Sequence, residues 1–364
     1  MIAQRFWLPS VTSQFVICPI PFHLDTYKGC VHGCCYCFGR DLVNWTRRTR
    51  SLLFAELEAN SPRQLSGWMQ RVYGRRRNFR HAATVFINER VPLKIGAICD
   101  PCPPVENELH ITEETLRVLA DYDYPVQVQT KNPEILRQVL QRIGPGHNIV
   151  VSVTVISLDT KWTRRVEPGA PPPQSRLEAI KGITDGLGYP VMVKVQPAVF
   201  PRVLRELPDL VAAIAKAGCW AFNTEGLKVK IAMPQNEQRI FGALGRTVRQ
   251  EYRDTVGHRE GSDWVLKDEF KRQYIDLAVG LAKLYGLKYF SADNSPLGLG
   301  DGYECCGTER LRDYNVFAYN RRSQAFGMMQ RSPLGECAVR FVRSIRMRSF
   351  RTIHDAVDDQ LEGS

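Results

Sequence analysis

The chain has no run of the roughly 18 consecutive apolar residues that a bilayer-spanning helix demands, and its first ten residues, MIAQRFWLPS, lack the basic segment and apolar stretch of an export signal. A membrane protein is not expected. The expected location is the cytoplasm, where the 11 cysteines would stay reduced, so a disulfide framework is not expected. An odd count of thiols in such a compartment points to metal or redox use for some and plain burial for others. Also missing are internal repeats, low-complexity tracts and the closely spaced His pair that many zinc sites use. Acidic residues are in deficit: 38 Asp+Glu against 49 Lys+Arg leave a net charge of +11.

What is present is a soluble globular composition, 44% hydrophobic and 24% charged, over 364 residues. That length allows one large domain with appendages or two ordinary ones. Part of the positive charge is concentrated: Arg71, Arg75, Arg76, Arg77, Arg80 and His81 interleave with Tyr73 and Phe79, and Arg340, Arg343, Arg346, Arg348 and Arg351 form a second run. Basic residues with aromatics suit phosphate neutralisation and base stacking, and equally a solvated face.

Apolar, β-branched runs alternate with helical patterns through the first two thirds, the signature of βα units and a parallel sheet. The pattern predicts strands over 93–99, 126–130, 149–156, 191–195 and 227–232, and helices over 112–121, 133–143, 173–186 and 204–217. Residues 41–85 read as a helical, Arg-rich insertion. Beyond 235 the expectation is helices over 236–253 and 269–285, a last strand over 287–291, and a Gly/Pro-rich stretch whose Cys305-Cys306 folds back over the barrel mouth. The expected architecture is α/β, a partial (β/α)6 TIM-like barrel over 1–235 with a mainly helical C-terminal region over 236–364. Ligands then belong at the C-terminal ends of the strands.

The most specific local feature is Cys30-Val-His-Gly-Cys-Cys-Tyr-Cys37. Cys30, Cys34 and Cys37 are spaced to hold three corners of a cubane iron-sulfur cluster; a cubane normally takes four cysteines, so the fourth iron would stay open to a small molecule. Cys35 is read as a neighbour. Zinc and incidental thiols remain the competing readings. Gly33 lets the loop turn tightly, and His32 suits a hydrogen bond beside the metal better than ligation.

Three later segments sit where strands should end: Gly96-Ala-Ile-Cys-Asp-Pro-Cys-Pro-Pro-Val-Glu106, Thr130-Lys131, and Ser152-Val-Thr154 followed by Glu167-Pro-Gly-Ala-Pro-Pro-Pro-Gln-Ser-Arg-Leu177. In this order, with the cysteine loop, they resemble the spore photoproduct lyase-like family of radical S-adenosylmethionine (SAM) proteins, over about residues 25 to 202. The resemblance implies a radical SAM barrel in which Cys30, Cys34 and Cys37 bind a 4Fe-4S cluster, with Tyr36 just before the last of them. It makes Tyr36, Asp100, Lys131, Thr154 and Arg176 candidates to contact SAM. Local alternatives are a turn role for Asp100, a structural role for Lys131 and an ion pair with Glu167 for Arg176. An electron would come from a flavodoxin- or ferredoxin-type donor, and a 5'-deoxyadenosyl radical would take a hydrogen atom from substrate.

This chain departs from the family where Cys99 replaces Thr before Asp-Pro, and where Ala97 occupies the position of the lyase's hydrogen-donating cysteine. Cys99 is therefore the first candidate for a radical relay, with Cys102, Cys305 and Cys306 behind it and burial as the alternative for each. The expected substrate is a nucleic acid or nucleotide. Ala97 counts against thymine-dimer repair, and base modification is at least as compatible. The alternatives are radical modification of a peptide or small metabolite, and a zinc-stabilised nucleic-acid-binding module.

Overall fold

The computed structural model describes residues 2–11, 20, 22–40, 57–74, 82–230, 234–260, 263–293, 299–301 and 305–315. Seven strands line up in chain order: β1 (Phe22–Leu24), β2 (Leu93–Ile95), β3 (Val126–Thr130), β4 (Ile149–Thr154), β5 (Val191–Ala198), β6 (Ala221–Gly226) and β7 (Lys288–Ser291). All six neighbouring pairs are parallel, and a short antiparallel strand, Ser10–Val11, borders β1. Sequential order without a reversal point winds a sheet toward a barrel rather than a doubly wound layer. The six βα units of the expectation are there, with β7 added at the open edge.

The strands alternate two kinds of side chain because successive residues face opposite sides. Val126, Val128, Val151, Val153, Val191, Val193 and Val195 are buried in the main core with the helices. Each such burial contributes about 1.5–3 kcal/mol. Residues between them, Gln127, Ser152, Lys194 and Asn223, turn into the barrel and are also buried. Gln127 Nε2 donates to Ser152 Oγ at 2.6 Å, satisfying one buried polar pair.

The helices follow from apolar stripes. Those named below are α1 (Pro62–Tyr73), α2 (Ile111–Ala120), α3 (Pro133–Ile143), α4 (Thr160–Val166), α5 (Pro173–Leu187), α6 (Arg202–Lys216), α7 (Pro234–Leu244), α8 (Arg246–Asp254) and α9 (Asp268–Tyr285). In α6, Val203, Leu207, Leu210, Val211 and Ile214 recur at helical spacing and are buried. In α3, Pro133 occupies the first turn, where its missing N–H costs nothing, as expected from Asn132-Pro-Glu.

Three expectations change. The strand expected over 227–232 lies at Ala221–Gly226, whose polar Asn, Thr and Glu hid its alternation, while Val229 pairs instead with Trp264 in a separate small sheet. The single helix expected over 236–253 is two, broken at Gly245, whose φ of +108° lies outside helical values. The Cys305-Cys306 loop does not fold over the mouth. Ser291 donates to the Leu299 carbonyl and Phe290 bridges antiparallel to Gly300, so the chain runs back along β7 toward the strands' N-terminal ends. The basic run 75–81, residues 41–56 of the expected insertion and the C-terminal arginines lie outside the described residues.

Candidate metal centre and its surroundings

The cysteine loop follows β1 and lies over the C-terminal ends of the strands. Cys34 is buried, Cys30 and Cys37 half-buried. Their thiols are electrostatic neighbours. Burial, then Asp100, pushes the Cys30 thiol up to about 11, with Cys37 adding to the shift. Burial raises Cys34 well above the ordinary thiol range against the pull of Lys131, and Glu167, Cys37 and Cys30 reinforce it. Backbone N–H groups of His32 and Asp100 point at the Cys30 sulfur, and that of Arg40 lies 3.4 Å from Cys37 Sγ. Cys35 faces elsewhere: burial raises its thiol to about 12, and its charged neighbours are Arg239, Glu167 and Arg165.

These donors fit a polynuclear thiolate-bound group. Crowded, buried thiols resist ionisation until a cation accepts their charge, and N–H groups aimed at sulfur tune iron-sulfur centres. Among the described residues no three His, Cys, Asp or Glu side chains converge tightly enough to hold a metal ion. The loop is thus three neighbouring thiols rather than a closed single-ion cage.

The loop is clasped by the segment after α4. Gly169 N–H donates to the His32 carbonyl at 2.9 Å, and His32 Nδ1 lies 3.0 Å from the Gly169 carbonyl. A Cβ on Gly169 would stand 2.3 Å from the Val31 carbonyl oxygen, so only glycine permits the approach. Gly33 has φ of +62°, the turn expected of it. Cys35 N–H donates to the Val166 carbonyl at 2.8 Å, and Arg239, from α7, donates to the Cys35 carbonyl at 2.8 Å.

Glu167 is the hub beneath the loop. Its fully buried carboxylate pairs with Arg176 Nη2 at 2.6 Å, accepts the Tyr36 hydroxyl, and lies 3.9 Å from Lys131 Nζ. Burial opposes its charge, but Arg176 and Lys131 hold its carboxyl below the usual range. Arg176 also donates to the carbonyls of Thr154, at the end of β4, and Pro171. Lys131 stands 5.6 Å over the Tyr36 ring. Burial would lower its charge, but Cys34 and Glu167 more than offset that and raise its pKa.

Asp100 accepts hydrogen bonds from Thr130 Oγ1 (2.6 Å), Lys131 N–H (2.7 Å) and Cys102 N–H (3.0 Å). His32 Nε2 is 3.1 Å away, an ion-pair contact without an aligned hydrogen bond. Burial works against this carboxylate, yet His32 and the hydrogen bonds hold it well below the usual range. The Cys102 contact is the two-residue turn of an Asp before Pro. Asp100 and Arg176 thus have their polar atoms engaged by the protein, Thr154 is buried at the rim, and Lys131 and Tyr36 are half-buried beside Cys34.

Cys99 is 3% exposed, and its thiol is pushed upward by burial, then by Asp25, Cys30 and Cys37. It therefore sits beside the loop. Asp25, which the sequence did not single out, accepts the N–H groups of Ile98 (3.0 Å) and Cys99 (3.2 Å) and fixes that turn. Cys305 and Cys306 are not part of this grouping. They enter the barrel from the opposite end, where Lys194 Nζ lies 3.3 Å from the Cys305 carbonyl. Residues 307–315 then cross the strands' N-terminal ends past Trp220, Asn148 and Arg90.

No family model matches the chain. Uncharacterized proteins of Mycobacterium tuberculosis and Mycobacterium bovis are 26% identical over 221 residues, 58% of this chain. The chain spans about 60% of the length of these curated relatives. Among solved structures, a spore photoproduct lyase variant with bound AdoMet and dinucleoside spore photoproduct superposes with a TM-score of 0.56 at 14% identity, covering 77% of this chain and 80% of the lyase. Spore photoproduct lyase complexed with dinucleoside spore photoproduct gives 0.55, also at 14%, over 78% and 80%. The likeness is one of architecture: this chain has the partial α/β barrel of spore photoproduct lyase.

Proposed function

We propose that the chain is a radical SAM enzyme acting on a nucleic acid or nucleotide. The observation that carries this reading is a loop of three coupled thiols, Cys30, Cys34 and Cys37, laid over the strand ends where this architecture assembles its ligands. Cys30, Cys34 and Cys37 would hold a 4Fe-4S cluster there, and the chemistry it would supply is one-electron reductive cleavage of SAM leading to hydrogen-atom abstraction from substrate.

The chain's own residues position and shield. Glu167, Tyr36 and Lys131 support the loop from below, and Arg176 joins that support to the end of β4. Lys131 and Tyr36 flank Cys34, while Asp100 holds His32 and the rim of β3 in place. Cys99, a neighbour of Cys30 and Cys37, would relay a hydrogen atom in this reading. A flavodoxin- or ferredoxin-type protein would provide the electron. The likeness to a lyase bound to a dinucleoside and the net charge of +11 support the substrate class.

Anaerobic reconstitution tests the centre. The parent and Cys35→Ala should each take up about four irons per chain, show a visible absorption that dithionite bleaches, and release 5'-deoxyadenosine from SAM. Cys34→Ala should lose all three. A parent that carries zinc and leaves SAM intact overturns the reading.

A further inference from the structure

Cys305 and Cys306 lie apart from the proposed centre, in surroundings that none of the preceding chemistry uses. Successive side chains of an extended chain point to opposite sides, yet here a turn brings both sulfurs to one side, 3.7 Å apart. Lys194, buried inside the barrel, places Nζ 3.9 Å from Cys306 Sγ and 3.3 Å from the Cys305 carbonyl. Asn223, its neighbour on β6, donates to the same carbonyl. Gly307 then packs where a Cβ would meet Trp220 at 2.9 Å and Met192 at 3.1 Å, which fixes the turn. Cys305 is half-buried and Cys306 1% exposed.

We propose that Cys305-Cys306 is a redox modification site, a vicinal dithiol in the barrel floor that low-molecular-weight disulfides oxidise to a disulfide. Cys305, the more accessible sulfur, attacks one sulfur of the oxidant and releases the first thiol. Cys306 then attacks Cys305 Sγ, the bond to the oxidant breaks, and the second thiol leaves. The chain loses two electrons, the oxidant gains them, and the two cysteine protons end on the released thiols. The Lys194 ammonium supports the negative charge on sulfur during attack. Closure draws the sulfurs from 3.7 Å to about 2.05 Å and pulls on the peptide that Lys194 and Asn223 hold, so oxidation loosens the floor plug. Adjacent cysteines form a strained ring, the kind of disulfide that reduces easily and serves regulation.

The full-length chain is incubated anaerobically with oxidised glutathione, unfolded in guanidinium containing N-ethylmaleimide so that every remaining thiol is blocked, digested and weighed. The 305–306 peptide should be two hydrogens lighter and unlabelled, and dithiothreitol should reverse this, while the buried Cys102 and Cys219 remain labelled. Cys306→Ser should trap glutathione on Cys305, and Lys194→Met should slow closure about tenfold. Full labelling of both thiols, a stable mixed disulfide in the parent, or pairing with another cysteine overturns the proposal. The parent's own peptide mass decides the matter without any variant.

Discussion

At the scale of single residues, Glu167 is where the geometry concentrates its demands. One buried carboxylate serves Arg176, Tyr36 and Lys131. Replacing it leaves the guanidinium of Arg176, 1% exposed, without a counter-charge. Breaking a buried pair from one side costs about 3–5 kcal/mol, and Glu167→Gln should lose that much in urea unfolding of the cluster-free chain. Asp293 behaves differently. Its carboxylate accepts the Tyr274 hydroxyl at 2.6 Å and the Gly226 N–H at 3.0 Å, and burial raises its pKa to about 6. The folded chain then binds this proton more tightly than the unfolded chain does. The stabilisation is complete below the ordinary carboxyl value and is lost as pH rises through about 6. Asp293→Asn has nothing to titrate, so between pH 4 and 7 the parent should lose about 2 kcal/mol relative to the variant. Parallel curves in urea titrations at several pH values would count against the assignment.

At the scale of elements, the critical joint is between the cysteine loop and the segment 167–169. A methyl on Gly169 collides with the Val31 carbonyl, and relieving such overpacking costs about 1–3 kcal/mol. Gly169→Ala should therefore fold, because the clash is local, but retain less than half the iron of the parent after desalting. Colorimetric iron and sulfide analysis decides it. The same comparison shows what the chain reveals of its own structure. Strands 126–130 and 149–154 and helix 133–143 were legible because alternation, helical stripes and Pro after Asn are local signals. The three-cysteine spacing was legible for the same reason. Asp25 and Arg239 were not: their contacts to Cys99 and to the Cys35 carbonyl span 74 and 204 residues, and no local pattern marks a partner that distant. The strand at 221–226 was missed because its inward face is polar, and a polar face is what an unfilled barrel interior calls for.

At the scale of the whole molecule, barrel and charge have to be considered together. The expected position of Cys305-Cys306 failed for a topological reason: β7 lies at the sheet's edge, and the chain leaving it pairs back along that edge instead of crossing the mouth. Among the described residues, the cysteine side of the barrel holds the loop, the strand ends and α7, whose Arg239 donates to the Cys35 carbonyl. A chain of net charge +11 attracts polyanions from any direction, so binding alone does not identify a nucleic-acid substrate. Salt dependence and competition do. Five phosphates neutralised on a single strand give a slope of about −3.5 in log affinity against log salt. An oligonucleotide substrate should show a slope of that order, and SAM cleavage by the reconstituted enzyme should accelerate when the oligonucleotide is added at moderate salt. A polyanion such as heparin should reproduce the slope without the acceleration. Equal cleavage with either, or a slope near zero, would remove nucleic acid from the reading while leaving the metal centre untouched.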